Sequence, residues 1–190
     1  MNHPARILTA LLLALAAVGL LGCEDSIEDT DQGGVALQLE FVDSLFRVGV
    51  NDTDLVALDT VTIDNVVVRP NGAQSNLMDV QLDTLEFTYT RADTGTRVPP
   101  PFVFRVVGVV PVGGNLSYTG LPIMTSDQLR NPPLSDLLFE NGAVDAETGS
   151  STITINVTLR AFGRTLGGEE VASSPRTQTI EFVPSTITTF

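Results

Sequence analysis

The feature that most constrains the fold is a one-for-one alternation of apolar and polar residues. It is clearest over residues 153–161, where the apolar residues on one parity are Ile153, Ile155, Val157, Leu159 and Ala161. Successive side chains of a β-strand point to opposite faces, so this period predicts a strand with one buried face. Similar stretches at 35–42, 58–69, 77–90, 102–112 and 177–183 are separated by clusters of Gly, Pro and Asn. Together they predict an all-β domain: an antiparallel β-sandwich of about seven strands.

Several local features refine this prediction. The apolar parity changes at Asp64-Asn65 and again between Leu82 and Leu85, which indicates β-bulges or bends. Residues 102–112 are almost all apolar, which is typical of a strand covered on both faces. The β pattern lapses over residues 120–139, where Pro132-Pro133 opens at most one short helix. Gly167-Gly168 predicts the turn of a hairpin between the last two long strands.

The first 22 residues have the composition of an export signal. Arg6 is the only charge before an apolar run over residues 7–22. As a helix, this run spans roughly 24 Å, short of the roughly 30 Å hydrocarbon core that a membrane-spanning helix crosses. A positive start followed by a short apolar helix is typical of a signal peptide.

The end of this segment, Leu20-Leu21-Gly22-Cys23, resembles the lipobox of bacterial lipoproteins. The resemblance implies cleavage between Gly22 and Cys23, and lipidation of Cys23 by fatty acyl chains such as palmitate. An ordinary signal peptide or an uncleaved anchor is the alternative. Two or more acyl chains hold a protein stably on a membrane, whereas one chain binds marginally. The predicted organisation is a signal helix over residues 1–22, a lipidated cysteine with an acidic flexible tether over 23–34, and a β-sandwich over 35–190.

The closing segment, residues 160–183, resembles the terminal strand pair of immunoglobulin-like and fibronectin-like modules on bacterial envelope lipoproteins. Its sequence is RAFGRTLGGEEVASSPRTQTIEFV. The resemblance implies an Ig-like or FN3-like sandwich and names no activity. The chain has a single cysteine and no Trp, so the Cys…Trp…Cys signature of a true immunoglobulin domain is absent.

Composition argues against most catalytic chemistry. The sole histidine, His3, lies in the signal, and all ten basic residues are Arg. Without His, Lys or a second Cys, the mature chain has no base for a Ser-His-Asp or Cys-His site and no lysine for a P-loop or a Schiff base. Removing Arg6 leaves nine Arg against 23 acidic residues, a net charge of −14 that disfavours nucleic-acid binding. We expect a protein that is not an enzyme.

Carboxylate chemistry and hard-cation binding remain possible. Asp52 and Asp54, in the turn cluster after the first strand, could place two carboxylates on one calcium ion. Glu140, Asp145 and Glu147 form a second acidic group, and in both places the alternative is a solvated acidic turn. A glycan would need aromatic platforms, for which Tyr89 and Tyr118 are available besides nine Phe.

Two functional hypotheses follow. In the first, a non-enzymatic lipoprotein of the cell envelope acts as a structural or protein-interaction module, with its partner at exposed strand edges or at residues 120–139. In the second, a β-sandwich binds calcium or a glycan through its acidic turns. For both we expect a periplasmic or surface location on the outer membrane of a Gram-negative bacterium, although Glu24-Asp25 after the cysteine leaves the choice between inner and outer membrane open.

Overall fold

The computed structural model describes residues 34–41, 46–68 and 74–186, in which nine strands form two sheets. The first sheet contains β1 (Val35–Phe41), β3 (Val56–Val67) and β6 (Asn115–Met124). The second contains β2 (Phe46–Gly49), β4 (Val80–Arg91), β5 (Phe102–Val110), β7 (Ile153–Thr165), β8 (Glu170–Ala172) and β9 (Arg176–Val183). The predicted all-β sandwich is confirmed, and the short β2 and β8 account for the strands beyond seven. The predicted signal helix, the lipobox with Gly22 and Cys23, and most of the tether lie outside the described residues.

The chain crosses between the two sheets several times. The sheets run β1-β3-β6 and β2-β9-β7-β4-β5, with β8 added on β7. The pairs are antiparallel except β2–β9, which is parallel. The predicted pairing of the last two long strands is confirmed by the register Ile153↔Phe182 to Leu159↔Arg176. This arrangement describes the fold and carries no function by itself.

One apolar core lies between the sheets. The inward side chains of β4, β7 and β9 in the second sheet face those of β1, β3 and β6 in the first sheet. Its largest fully buried members are Phe87, Phe182, Leu37, Ile63, Leu82, Leu85, Ile123, Met124, Leu129, Leu134, Leu137 and Ile153. The Tyr89 hydroxyl ties the sheets together by donating to the Ile123 carbonyl oxygen at 2.6 Å.

The predicted bulge in β4 is confirmed. Its register against both neighbours shifts between Leu82 and Thr84, so that Leu82 and Leu85 are both buried although their sequence parity differs. Opposite the shift, Gly163 pairs with Leu82. The extra residue of a bulge bends the strand locally.

The predicted parity change at Asp64-Asn65 is wrong. Val61, Ile63 and Asn65 are all buried, so the parity continues through a polar residue. The Asn65 amide nitrogen donates to the carbonyl oxygens of Met78 and Val110, which allows an asparagine to replace an apolar side chain there. The change of parity lies earlier in β3, because Leu58 and Val61 are buried while the two residues between them are exposed.

Strand β5 differs from its prediction as well. It is the end strand of its sheet, and one of its faces is exposed, with Val107 at 89% exposure. The apolar run predicted a strand covered on both faces, but Val103, Val107 and Val109 leave one face exposed.

Strand β6 continues into the segment where the β pattern lapses. It extends to Met124 and includes Pro122, which pairs with Ala57 of β3. Proline is tolerated here because β6 is an edge strand of the first sheet, where a missing N–H need not leave a ladder bond unmade.

The helical content is small, as predicted. In the described ranges one α-helix, α1 (Ser126–Leu129), is closed by a capping box between Thr125 and Gln128. The segment after Pro132-Pro133 forms the short 3₁₀ helices Leu134–Leu137 and Phe139–Asn141, and the second ends at Gly142 with a φ of 95°. Among the described residues, none of the helices has the length and apolar character of a transmembrane span.

The strands define two ends of the molecule. At the "Gly34 end", the Gly34 carbonyl oxygen accepts a hydrogen bond from the N–H of Val68, close to the start of β4. At the "Arg91 end", β4 finishes and the loops that follow it and precede β7 meet. The 12 residues of β4, at about 3.3 Å per residue, separate the two ends by roughly 36 Å.

A candidate interaction site at the Arg91 end

The Arg91 end is organised around a buried arginine. Arg91 continues the inward parity of Leu85, Phe87 and Tyr89, and its side chain is 2% exposed. Its Nε and Nη2 atoms donate to the two carboxylate oxygens of Asp93 at 2.6 and 3.0 Å. Nη2 also donates to Asp145 Oδ2 at 2.8 Å. A planar guanidinium suits such two-point pairing with a carboxylate.

Asp145 is the fully buried carboxylate of the group. Besides Arg91, it accepts hydrogen bonds from the Thr148 hydroxyl at 2.7 Å and from the Glu147 N–H at 3.2 Å. Burial by itself raises the pKa of Asp145, but these hydrogen bonds outweigh burial and lower the pKa to about 2. Asp145 is therefore ionised at neutral pH.

Arg97 links this pair to a third carboxylate. Its Nη2 atom donates to Asp136 Oδ2 at 2.6 Å and to Asp145 Oδ1 at 3.2 Å. Glu147 accepts bonds from the Thr96 hydroxyl and from the N–H groups of Thr96 and Arg97. These bonds lower the pKa of Glu147 to about 2. We call the set Arg91, Asp93, Arg97, Asp136, Asp145 and Glu147 the arginine–carboxylate network.

The network holds a loop that presents apolar side chains to solvent. Residues 137–144, the "Phe139 loop", lie between Asp136 and Asp145. Arg97 donates hydrogen bonds to both of these aspartates and thereby fixes the two ends of the loop. The loop is also held by Asn51, whose amide nitrogen donates to the Leu137 carbonyl and whose oxygen accepts from the Phe139 N–H. Phe139 is 64% exposed and Val144 is 43% exposed.

The two aspartates predicted as a calcium site have different partners. Asp52 accepts bonds from the Ser185 hydroxyl and from the N–H and hydroxyl of Thr186. Asp54 forms an exposed ion pair with Arg130 at 2.7 Å. Among the described residues, no three His, Cys, Asp or Glu side chains lie close enough to hold one metal ion. Calcium binding stays a prediction, and this geometry gives it no added support.

The second acidic group is divided in the structure. Asp145 and Glu147 belong to the network, whereas Glu140 lies exposed in the Phe139 loop. Of the two tyrosines considered for glycan stacking, Tyr89 is buried; its pKa is raised to about 12 by burial, against a smaller lowering by its hydrogen bond with Gln128. Tyr118 is half-buried against the core. Glycan binding likewise stays a prediction.

The hydrogen bonds and ion pairs of the network join separate loop segments to one another. A general acid or base at neutral pH needs a pKa near the working pH. Asp145 and Glu147 titrate far below that range, and arginine remains charged above it. What the network does is fix the positions of three loop segments, at residues 92–97, 136 and 145–148.

Sequence reasoning missed Arg91, Asp93, Arg97 and Asp136. A signal for Arg91 was present, because the parity that runs through Leu85, Phe87 and Tyr89 directs the side chain of Arg91 inward as well. A buried arginine requires carboxylate partners, and Asp145 lies 54 residues further along the chain. Because the two residues are so far apart in the sequence, the ion pair between Arg91 and Asp145 could not be predicted from it.

No protein-family model, no curated protein and no solved structure matches this chain.

Proposed function

We propose that this protein is a membrane-anchored, non-enzymatic lipoprotein of the cell envelope that binds another envelope protein through the Phe139 loop. The observation that carries the proposal is the exposed Phe139, on a loop whose two flanks, Asp136 and Asp145, are both bonded to Arg97. A loop fixed in advance loses less conformational entropy on binding. Large aromatic side chains supply much of the binding energy of protein interfaces.

The position of the loop supports the proposal. Gly34, the first described residue after the predicted lipidated cysteine, lies at the opposite end of the sandwich from the Phe139 loop. An anchor at Cys23 would direct the Arg91 end away from the membrane, with the roughly 36 Å length of β4 between them. The outer membrane of a Gram-negative bacterium, with the domain in the periplasm or at the surface, is part of the same proposal.

Site-specific photo-cross-linking tests the binding face. We expect p-benzoylphenylalanine at position 139 to give one discrete adduct with an envelope protein in intact cells of the source organism. The same amino acid at Val107, on the exposed flank of β5, is the matched control and should give no such adduct. Equal adducts at both positions, or none at position 139, would refute the assignment of the face.

The anchor is tested separately by Cys23→Ser. The expected result is loss of the acyl mass from the mature N-terminus and release of the protein from the membrane fraction, because the acyl chains supply the membrane affinity. Retention of the variant in washed membranes without detergent would refute the anchor and leave the cross-linking result unaffected.

A further inference from the structure

The Gly34 end carries a second exposed apolar feature. Leu77 is 62% exposed in the 3₁₀ helix Asn76–Met78, which buries none of its residues. Leu166 is 50% exposed in the turn between β7 and β8. We call these two residues the leucine tip. Val68, also exposed, lies at the same end beside Gly34.

Backbone hydrogen bonds hold the two leucines side by side. The Gly167 N–H donates to the Leu77 carbonyl oxygen at 2.8 Å, and the Leu166 N–H donates to the Asp79 carbonyl oxygen at 2.9 Å. The turn itself is closed by the Gly168 N–H, which donates to the Thr165 carbonyl oxygen at 2.8 Å. The leucine tip is therefore a fixed feature of the sandwich.

The chain leading to Cys23 starts at this same end. A Cβ atom on Gly34 would lie 3.4 Å from the Met78 side chain, next to Leu77. Ten residues, 24–33, separate Gly34 from Cys23. The acidic tether that the sequence predicts over these residues would span roughly 20 Å on average as a coil. A lipid anchor at Cys23 would thus hold the leucine tip within reach of the bilayer at a high effective concentration.

We propose that the leucine tip rests in the headgroup region of the bilayer that carries the anchor. The inference depends on the proposed lipidation of Cys23 and adds a second, weaker contact that orients the domain. Exposed leucines favour the boundary between headgroups and acyl chains, where apolar side chains leave water.

The charged residues near the leucine tip determine which headgroup charge it can approach. Glu169 lies in the same turn as Leu166, and Glu170 begins β8, where it pairs with Arg164 at 2.7 Å. The unbalanced carboxylate of Glu169 is repelled by anionic headgroups, so the surface that fits is zwitterionic. Salt screens this repulsion over about a Debye length.

Spin labels on introduced cysteines test the contact in the acylated, full-length mature protein on phosphatidylcholine vesicles. Once Cys23 is acylated no other thiol remains, so Leu77→Cys and Leu166→Cys each give one labelled site. Matched controls are Val107→Cys on the flank and Phe139→Cys at the Arg91 end. At the tip we expect collisions with oxygen to rise, and those with a water-soluble nickel chelate to fall, by about two-fold or more relative to the controls, as for side chains buried roughly 5–10 Å into the interface.

Vesicles containing phosphatidylglycerol should reduce this difference at low salt, and added salt should restore it. Tip labels that remain as accessible to the nickel chelate as the label at Val107 would overturn the inference. Tip labels shielded from both probes would also overturn it, because they would indicate contact with protein, including a second copy of this chain.

A second preparation separates the tip from the anchor. It carries Cys23→Ser and is held on vesicles by an N-terminal hexahistidine tag and a chelating lipid loaded with diamagnetic Zn²⁺, so that no paramagnetic ion is fixed at the bilayer surface. Tip contact in this preparation, together with no acyl mass on the native protein, would refute the lipid anchor alone. Acylated protein whose tip labels stay in water would refute the tip alone.

Discussion

At the residue scale, Arg91 decides how the loops at its end of the sandwich are arranged. Its side chain is only 2% exposed, and an unpaired buried charge is very costly. Asp93 lies two residues away and pairs locally, but Asp145 must come from a distant loop. The arginine therefore fixes the position of the loop before β7, because that loop must pack against Arg91 for Asp145 to accept a hydrogen bond from the guanidinium.

The first prediction concerns Asp145→Asn. This variant keeps the size of the side chain but removes the charge that partners Arg91, so the free energy of unfolding should fall by about 3 kcal/mol, as when one partner of a buried pair is lost. The control is Arg164→Met, which removes an exposed ion pair with Glu170 and should change stability by less than about 1 kcal/mol. Denaturant unfolding measures both. Equal effects would contradict the structural role of the network.

At the scale of elements, β4 and β7 form the centre of the second sheet, and the bulge of β4 shapes their contact. The strand changes parity between Leu82 and Leu85, which keeps both leucines in the core along a 12-residue strand. Gly163 of β7 faces this irregularity. A Cβ atom there would lie 2.5 Å from the Gln81 carbonyl oxygen, which belongs to the backbone and cannot rotate away.

The second prediction follows from this contact. Gly163→Ala should destabilise the protein by about 1–3 kcal/mol, the usual cost of overpacking, because relief requires the two central strands to separate. Gly167→Ala is the matched control, since its nearest neighbour would lie at 3.4 Å and its φ is not in the left-handed region. Thermal melting of the two variants compares them. If the Gly163→Ala and Gly167→Ala proteins had the same melting temperature, the bulge would have accommodated the methyl group, which would contradict the prediction.

At the scale of the whole molecule, the two opposite ends have different proposed roles, membrane contact at the Gly34 end and protein binding at the Arg91 end. The leucine tip and the route to Cys23 share the Gly34 end, whereas the Phe139 loop and the arginine–carboxylate network share the Arg91 end. The sandwich between them acts as a spacer. Its core spans both sheets, so changes that loosen the network affect the stability of the domain as well as the loop.

The third prediction is the dependence of stability on pH. In the folded state hydrogen bonds lower the pKa values of Asp145 and Glu147 to about 2, and the pKa of Asp93 is lowered too. In the unfolded chain these groups titrate near 4. Their contribution is therefore complete above about pH 4.5 and is lost as the pH falls toward 2.

The comparison of wild type with Asp145→Asn isolates this effect from the general neutralisation of the acidic surface. The difference in melting temperature between the two proteins should be constant from pH 5 to 8 and should narrow as the pH falls from about 4.5 to 2. Circular dichroism melts across that range provide the measurement. A difference that stays the same at pH 2.5 would contradict the assigned role of Asp145.

The local properties of this protein follow from short stretches of its amino-acid sequence. The period of two predicted the strands, the sandwich and the bulge between Leu82 and Leu85, because alternation reports directly on which way each side chain points. The sequence also shows that the chain has no Lys, one His and one Cys, and that it contains the lipobox-like segment ending at Cys23.

Which strands and loops are neighbours depends on long-range pairing in the folded protein. The apolar run of β5 predicted burial on both faces. In the folded protein β5 is the end strand of its sheet, and Val107 on its outer face is exposed. Asn65 became a core residue because two carbonyl groups from other segments reach its amide. Arg91 and Asp145, or Leu77 and Leu166, meet only when the sheets assemble. Their proximity is a property of topology, which no short window of sequence encodes.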